Sequence, residues 1–305
     1  MSLKKYIFTL FIIGFIIISN GCSTSKKVVG DTFTNALLWE VSGKDLSNPS
    51  FVFGTIHLIP SKDFFYPSGF MTSFEKTKSV YFEIDMEDMS DMSKVMTILP
   101  QLMMKDDISL KDLLSETDYN LVDNYFQKLG FPVMLLEKMK PMFLSAFLEM
   151  DMDPNGLKNG DLKSYEMEIY EMAQSTNKNV GGLESMEFQL SLFDDIPYKT
   201  QAQMLVDGIK NKTTEQEDSA LIDLVKIYKS QDIEAMVALM AEDKDTPQDV
   251  QDKLLVNRNQ NWIPLIIDHA RKQPSFFAVG AGHLGGKTGV IQLLKDNGYT
   301  VKPVK

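Results

Sequence analysis

The amino-acid sequence predicts an α/β protein whose central β-sheet is built from the N- and C-terminal segments, with a large helical insertion between them. Apolar runs rich in aromatic and β-branched residues, typical of strands, lie before residue 86 and after residue 270. The stretch between them shows mainly helical spacing. Two of the strand-like runs also end in the same motif, Gly-x-x-His. A strand, a glycine turn, one polar side chain and a helix is how α/β proteins present a functional group at a sheet edge.

Bulk composition bounds the class of protein. The chain has 305 residues, 44% of them hydrophobic, which is enough for one large domain or two small ones. Its formal net charge is -11. Unspecific nucleic-acid binding needs a basic surface, so we expect no nucleic-acid partner.

The N-terminus predicts export and a lipid anchor. Lys4 and Lys5 precede an apolar run from Tyr6 to Ile18, which has the length of a signal-peptide core and is shorter than a membrane-spanning helix. The segment Ser19-Asn20-Gly21-Cys22 follows and resembles a bacterial lipoprotein processing site, although Ser19 replaces the usual leucine-like residue. We expect a signal peptide over 1–21, lipidation at Cys22, and a polar tether over 22–35.

Cys22 is the only cysteine in the chain, so it has no partner for an internal disulfide. The predicted location is the bacterial cell envelope, on the outer membrane or facing the periplasm, with the lipid anchor holding the protein to the membrane. A secreted protein with an incidental cysteine, or an uncleaved anchor, remains the alternative.

The elements are predicted in chain order. A strand over 36–42, a turn over 43–49 and a strand from Ser50 into Gly54-Thr55-Ile56-His57 form a hairpin. A short helix over 70–77 precedes the strand SVYFEID, which ends with Glu83 and Asp85. A helical insertion over about 86–270 includes a helix over 162–174 and a short strand or turn that ends at Glu184. A strand from Phe276, a helix over 287–296 and a strand over 299–304 complete a single domain over 36–305.

Two of the three histidines occupy equivalent places. His57 and His283 each follow an apolar strand and a Gly-x-x-His turn. If the two strands are neighbours in one sheet, both imidazoles meet at the same edge. His269 lies in an amphipathic run, and we interpret it as a surface or structural residue.

Two imidazoles need further ligands to make a metal site, because catalytic divalent sites usually have three protein ligands. Glu83 and Glu184 end their elements, so either could be the ligand and the other a general base. Arg258 could polarise a carbonyl or hold a carboxylate, and a surface ion pair is the plainer interpretation.

One motif is misleading. Residues 280–285 match G-x-G-x-x-G after a strand and before a helix. A dinucleotide fold needs a further βαβ unit, and only one predicted strand follows. Anion binding at the helix N-terminus stays open. The sequence has no Gly-x-Ser-x-Gly, Walker, HExxH or paired CxxC motif.

Several segments together resemble the TraB/GumN family, whose relatives include the Tiki-type metalloproteases. In family order they are FVFGTIHLIP, SVYFEID, LKSYEMEIYEMA, GGLESMEFQLSLFDDIPYKTQAQML, NRNQNW and SFFAVGAGHLGGKTGVIQLLKDNGYTVKPV. The resemblance implies the sheet and helical insertion described above. It also implies the active-site residues His57, Glu83, Glu184, Gln189, Arg258, Asn259 and His283.

Within that set, we predict His57, His283 and Glu83 as metal ligands. We predict Glu184, Arg258 and Glu83 as catalytic residues, and Gln189 and Asn259 as substrate-binding residues. The resemblance implies a divalent metal cofactor and favours Mn²⁺ or Co²⁺. We predict Mn²⁺, Co²⁺ or Zn²⁺ and leave the identity of the ion open.

The predicted function is metal-dependent hydrolysis of a peptide or protein at the cell envelope. Two alternatives stay open. One is a non-catalytic lipoprotein that binds and sequesters a peptide, and the other is hydrolysis of a non-peptide ester on the same metal site.

Overall fold

A computed structural model describes residues 35–150, 160–212, 217–241 and 248–305. The predicted signal peptide, the lipidation site Cys22 and nearly all of the tether lie outside the described residues. The chain divides into two compact units. A helical unit takes in Glu87–Leu162 and Ser185–Leu221, and a sheet unit takes in 35–86, Lys163–Glu184 and Ile222–Lys305.

The strands follow the pattern expected from the apolar runs. They are β1 (Leu38–Ser42), β2 (Ser50–Thr55), β3 (Ile59–Pro60), β4 (Ser79–Ile84), β5 (Leu162–Lys163), β6 (Asn179–Glu184), β7 (Ser275–Gly280) and β8 (Thr300–Pro303).

The helices, in chain order, account for most of the remaining structure. They are α1 (Phe70–Glu75), α2 (Met86–Ser90), α3 (Met92–Ile98), α4 (Leu110–Leu113), α5 (Glu116–Lys128), α6 (Pro141–Met150), α7 (Tyr165–Ser175), α8 (Met186–Ser191), α9 (Tyr198–Lys212), α10 (Glu217–Lys229), α11 (Ile233–Ala241), α12 (Gln248–Asp252), α13 (Arg258–Lys272) and α14 (Val290–Asp296). No helix within these described ranges is long and apolar enough to cross a membrane.

A six-stranded mixed sheet forms the centre of the sheet unit, in the order β6-β4-β7-β2-β1-β8. The strands β6, β4, β7 and β2 run parallel. The strands β1 and β2 form the predicted antiparallel hairpin, and β8 pairs antiparallel with β1. The predicted α/β class is therefore confirmed. The division into one domain stays a prediction.

Helices pack on both faces of this sheet. Successive residues of a strand point to opposite faces. Phe276 packs against the aromatic rings of α1, whereas Phe277 stacks with Tyr81, which in turn stacks on His269 of α13. The strands β2 and β7 are therefore covered on both sides, and their apolar sequences reflect that burial.

The helical unit has its own apolar core. Ser115 caps the N-terminus of α5 by accepting a hydrogen bond from the backbone N–H of Asp118. Buried side chains of α4, α5, α6 and α9 pack together with Val133, namely Leu110, Val122, Tyr125, Phe126, Leu144, Leu148, Leu205, Val206 and Ile209.

Candidate active site

The sheet brings the two Gly-x-x-His motifs together. The parallel pairing of β2 with β7 sets Thr55 opposite Gly280, so the turns that carry His57 and His283 leave neighbouring strands at the same edge. The same edge receives the ends of β4 and β6, where Ile84 pairs with Glu184. The expectation that the two histidine-bearing strands are neighbours is confirmed.

The glycines of the two motifs make room for close contacts. A Cβ on Gly54 would lie 2.8 Å from Leu284 Cδ1 and 3.0 Å from the backbone of Ala281, so the turn after β7 packs directly on β2. A Cβ on Gly280 would lie 3.3 Å from Glu83 Oε1. That space lets the Glu83 carboxylate accept a hydrogen bond from the Gly280 N–H at 2.9 Å.

Arg258 connects the two glutamates to His283. Its Nε donates to both oxygens of Glu184 at 3.0–3.2 Å, and its Nη2 donates to Glu184 Oε2 at 2.9 Å and to Glu83 Oε2 at 2.6 Å. Its Nη1 lies 3.2 Å from His283 Nε2. Burial would lower the pKa of Arg258, but the two carboxylates raise it above its ordinary value. Arg258 is only 6% exposed, so the surface ion pair is the wrong interpretation.

A π-helical turn over Lys253–Asn257 leads directly into Arg258. Such turns place an extra residue in a helix and often lie at functional sites. Arg258 Nη1 donates to the carbonyl of Leu254 within this turn, at 3.2 Å. The turn therefore helps to set the direction of the guanidinium group.

Glu83 remains ionised despite its burial. Burial would raise the pKa of Glu83, but Arg258, followed by His283, His57 and the Gly280 N–H, holds it well below its usual range. Its Oε1 lies 3.8 Å from His283 Nε2. His57 thus lies near enough to act electrostatically on Glu83.

His283 is held as a neutral imidazole. Its Nδ1 lies 2.6 Å from Asn259 Oδ1, and Asn259 Nδ2 donates to the carbonyl of Thr288 at 2.9 Å. This orientation of the amide makes Nδ1 the donor, so Nε2 is the unprotonated nitrogen that faces Arg258. Burial, with the charge of Arg258, lowers the pKa of His283 to about 3. The ring of Trp262 packs 4.4 Å from the imidazole.

His57 pairs with a glutamate that we did not predict. Its Nδ1 lies 3.1 Å from Glu166 Oε1. Glu166 belongs to the segment LKSYEMEIYEMA, but a single acid in a helical run carries no signal of its own. Its separation of 109 residues from His57 hides the pair in the sequence.

The structure also changes or leaves open other predicted roles. The oxygen and the nitrogen of the Asn259 side-chain amide both bond within the protein, to His283 and to Thr288, so Asn259 orients His283. Its predicted role in substrate binding stays a prediction. Gln189 lies on α8 in the helical unit, and its role in substrate binding stays a prediction. His269 stacks on Tyr81 with 3.9 Å between ring centres, as suits a structural residue.

The histidines and glutamates of the site supply the donor atoms that a divalent metal prefers, but they are not arranged as a metal site. Within the described ranges, no group of three or more His, Cys, Asp or Glu side chains is arranged to hold a metal ion. Arg258 instead donates to the carboxylates of Glu83 and Glu184 and faces His283 Nε2. Both histidines nevertheless have Nδ1 anchored by an oxygen, the arrangement usual for imidazoles that bind metal through Nε2.

Comparison with known proteins agrees with the resemblance found in the sequence. The metalloprotease TIKI1 of Xenopus tropicalis is 24% identical over 341 residues, which cover 93% of this chain and 64% of the relative. The metalloprotease TIKI1 of Homo sapiens is 22% identical over 325 residues, covering 88% of this chain and 62% of the relative. The chain thus spans less than two thirds of the length of these relatives. No solved structure gives a significant match.

The model of the TraB/PrgY/gumN family matches residues 37–303, a range that includes every candidate residue of the site. The chain belongs to the TraB/PrgY/gumN family.

Proposed function

We propose that the protein is a metal-dependent hydrolase that cleaves a peptide or protein substrate. The observation that carries this proposal is the pair of imidazoles on adjacent parallel strands, each anchored through Nδ1. Beside them lie an ionised glutamate and a buried arginine. Relatives named metalloproteases support the reaction class.

The ligands of the metal would be His57, His283 and Glu83. Imidazole nitrogen and carboxylate oxygen are the donors that zinc and similar ions prefer. The carboxylates of Glu83, Glu166 and Glu184 outnumber the guanidinium of Arg258, and the excess negative charge favours a cation. The chemistry that a divalent metal supplies when bound is a water of lowered pKa and a polarised scissile carbonyl.

The two glutamates differ in ways that favour different roles. The Glu184 side chain is 4% exposed and receives three hydrogen bonds from Arg258. The Glu83 side chain is 14% exposed and lies beside His283 Nε2. Glu83 is therefore the better candidate to contact the metal or the reacting water, and Glu184 the better candidate to orient Arg258.

Arg258 would stabilise negative charge that develops on the substrate. A guanidinium that is buried and fixed by two carboxylates acts with little reorganisation in a medium of low dielectric constant. To face a substrate oxygen, Nη1 of Arg258 would exchange its contact with His283 Nε2 for one with the substrate.

We also propose that the protein acts at the bacterial cell envelope, anchored to the membrane through lipid on Cys22. The N-terminal charge, apolar run and lone cysteine support this location. Mass spectrometry of the mature N-terminus tests it, since an unmodified start at another residue would contradict the anchor.

The hydrolase proposal is tested with the full chain in detergent. The protein is treated with chelator, then given Mn²⁺, Co²⁺ or Zn²⁺ and incubated with a peptide library, and products are identified by mass spectrometry. We expect cleavage that the metal restores and that His57→Ala and His283→Ala abolish. His269→Ala is the matched control, because His269 stacks on Tyr81 and should leave cleavage unchanged.

Cleavage that survives in both site variants would contradict the proposal. Recovery of bound but intact peptides after long incubation would instead favour sequestration.

A further inference from the structure

Glu166 is a buried carboxylate whose two oxygens both accept hydrogen bonds from the protein. Its Oε1 accepts from Thr55 Oγ1 at 2.6 Å and lies 3.1 Å from His57 Nδ1. Its Oε2 accepts from Ser164 Oγ at 3.1 Å. The residue is 6% exposed. These contacts join β2, which leads to His57, to the first turn of α7.

An ionised carboxylate only accepts hydrogen bonds, so the imidazole nitrogen that faces it must carry a proton. Thr55 Oγ1 donates to one oxygen of Glu166 and Ser164 Oγ donates to the other, so the side chain presents an acceptor to His57 Nδ1. His57 is therefore fixed with hydrogen on Nδ1 and with Nε2 as the basic nitrogen of its neutral form.

We propose that Glu166 is a positioning residue that fixes His57 in its Nδ1–H tautomer and so directs Nε2 into the site. What Nε2 then does, bind a metal or move a proton, rests on the function proposed above.

Glu166 is not itself placed to react. Both of its oxygens are engaged by donors, and the residue is nearly inaccessible to solvent. Stability alone is a weak reason for such a group, because the desolvation of a buried carboxylate offsets much of what its hydrogen bonds contribute. A positioning role accounts for both the burial and the three donors.

The second histidine reaches the same tautomer by other means. Asn259 accepts from His283 Nδ1 with a neutral amide, whereas Glu166 accepts from His57 Nδ1 with a carboxylate. Two unrelated acceptors thus leave the same nitrogen of each ring unprotonated. This shared outcome is the strongest support for a role in orienting the rings.

The test is ¹⁵N spectroscopy of the full-length, metal-free protein labelled at histidine, which gives signals from only three residues. Glu166→Gln keeps the size of the side chain but adds an N–H donor that can face Nδ1. We expect the single Nδ1–H tautomer of His57 to be lost or mixed with the Nε2–H form. Glu168→Gln, on the same helix and paired with Lys163 at the surface, is the matched control and should change nothing.

Two further variants keep the test decisive if Glu166→Gln does not fold. Glu166→Asp keeps the charge but shortens the side chain, and Thr55→Val removes one donor to the carboxylate. Each should broaden or partly mix the His57 tautomers while the His283 signals stay unchanged. An unaltered His57 tautomer in every folded variant of Glu166 and Thr55 would overturn the proposal.

A second readout separates this inference from the proposed function. If His57 binds a metal, Glu166→Gln should weaken the affinity for Mn²⁺, Co²⁺ or Zn²⁺ by about 10- to 100-fold. Dependence of the tautomer on Glu166 without any metal binding would support the inference and count against the metal-dependent hydrolase. Metal-dependent cleavage together with an unchanged His57 tautomer in Glu166→Gln would support the hydrolase and count against the inference.

Discussion

Gly280 donates its backbone N–H to the carboxylate of Glu83 at 2.9 Å. The contact ties the second Gly-x-x-His motif to the acid at the end of β4. Glycine favours this contact because a Cβ at this position would lie 3.3 Å from Glu83 Oε1, closer than a Cβ usually approaches its neighbours.

Gly280→Ala should therefore damage the site more than the fold. Gly280 has a φ of -52°, which alanine adopts without strain. We expect the added methyl to shift Glu83 slightly and to lower kcat/KM, by less than the roughly 100-fold typical of a misplacement of about 1 Å. The thermal unfolding midpoint should change little. A large fall in Tm that accompanies the loss of activity would show that the glycine serves the fold instead.

Arg258→Ala should destabilise the protein strongly. It leaves the buried carboxylates of Glu83 and Glu184 without their common partner. The loss of one partner from a buried ion pair costs about 3–5 kcal/mol in free energy of unfolding. Chemical denaturation measures this, with Arg271→Ala as the control, because the pair of Arg271 with Asp45 is exposed. Equal effects of the two variants would contradict the central place of Arg258.

Acid should destabilise the protein through His283. Its pKa falls from 6.5 to about 3 on folding, so below pH 6.5 the unfolded state binds a proton that the folded state does not. Stability is then lost as the pH falls from about 6.5 towards 3, by up to about 1.4 kcal/mol per pH unit for this one proton.

Protonation of Glu83 also lowers the free energy of unfolding, at a lower pH than protonation of His283. The folded pKa of Glu83 is depressed, so its contribution is present above its unfolded value of 4.5 and is lost below it. Denaturant titrations between pH 7 and 4 measure how the free energy of unfolding falls with pH through both groups together. Above pH 4.5 this dependence on pH should become weaker in His283→Gln. An unchanged dependence in that variant would assign the acid sensitivity to other groups.

Asn259→Asp should raise the pKa of His283. The change puts a carboxylate at the 2.6 Å contact with Nδ1 and removes the N–H that donates to Thr288. A nearby negative charge favours the imidazolium. An NMR titration of the three histidines should show His283 moving from about 3 towards neutrality, while His269 stays where it is. No movement of His283 would mean that its amide neighbour does not control its protonation.

The strands and the histidine turns could be predicted from the sequence because their signals are local. The run Phe51-Val52-Phe53 before Gly54 predicts a buried strand, and β2 is buried throughout. The predicted helix over 162–174 was right in type but begins later, because Ser164 caps α7 at Tyr165. A helix N-cap is also a local signal, but several types of polar residue can serve as the cap, so the exact start of the helix is hard to predict.

The polar partners of the histidines could not be predicted by local reasoning. Glu166 and Asn259 lie 109 and 24 residues from the rings that they hold. Both lie in segments that resemble the family, but those segments do not show which histidine each residue contacts. Pairing of this kind depends on the sheet order, which the spacing of apolar residues does not specify. The residues themselves already suggested Glu184 and Arg258, and the family resemblance added Asn259, whereas only the fold revealed that Arg258 bonds to Glu184.

The position of β7 between β2 and β4 has a consequence for biosynthesis. Phe51 pairs with Phe276, so the centre of the sheet stays open until the residues between them have been synthesised. Closing so long a loop is entropically costly and typically slow. Until the segment 275–286 has been synthesised, both His283 and the strand that pairs with β2 are missing. A nascent or truncated chain that ends before Ser275 therefore lacks His283 and the Gly280 N–H, and any activity has to wait for this segment.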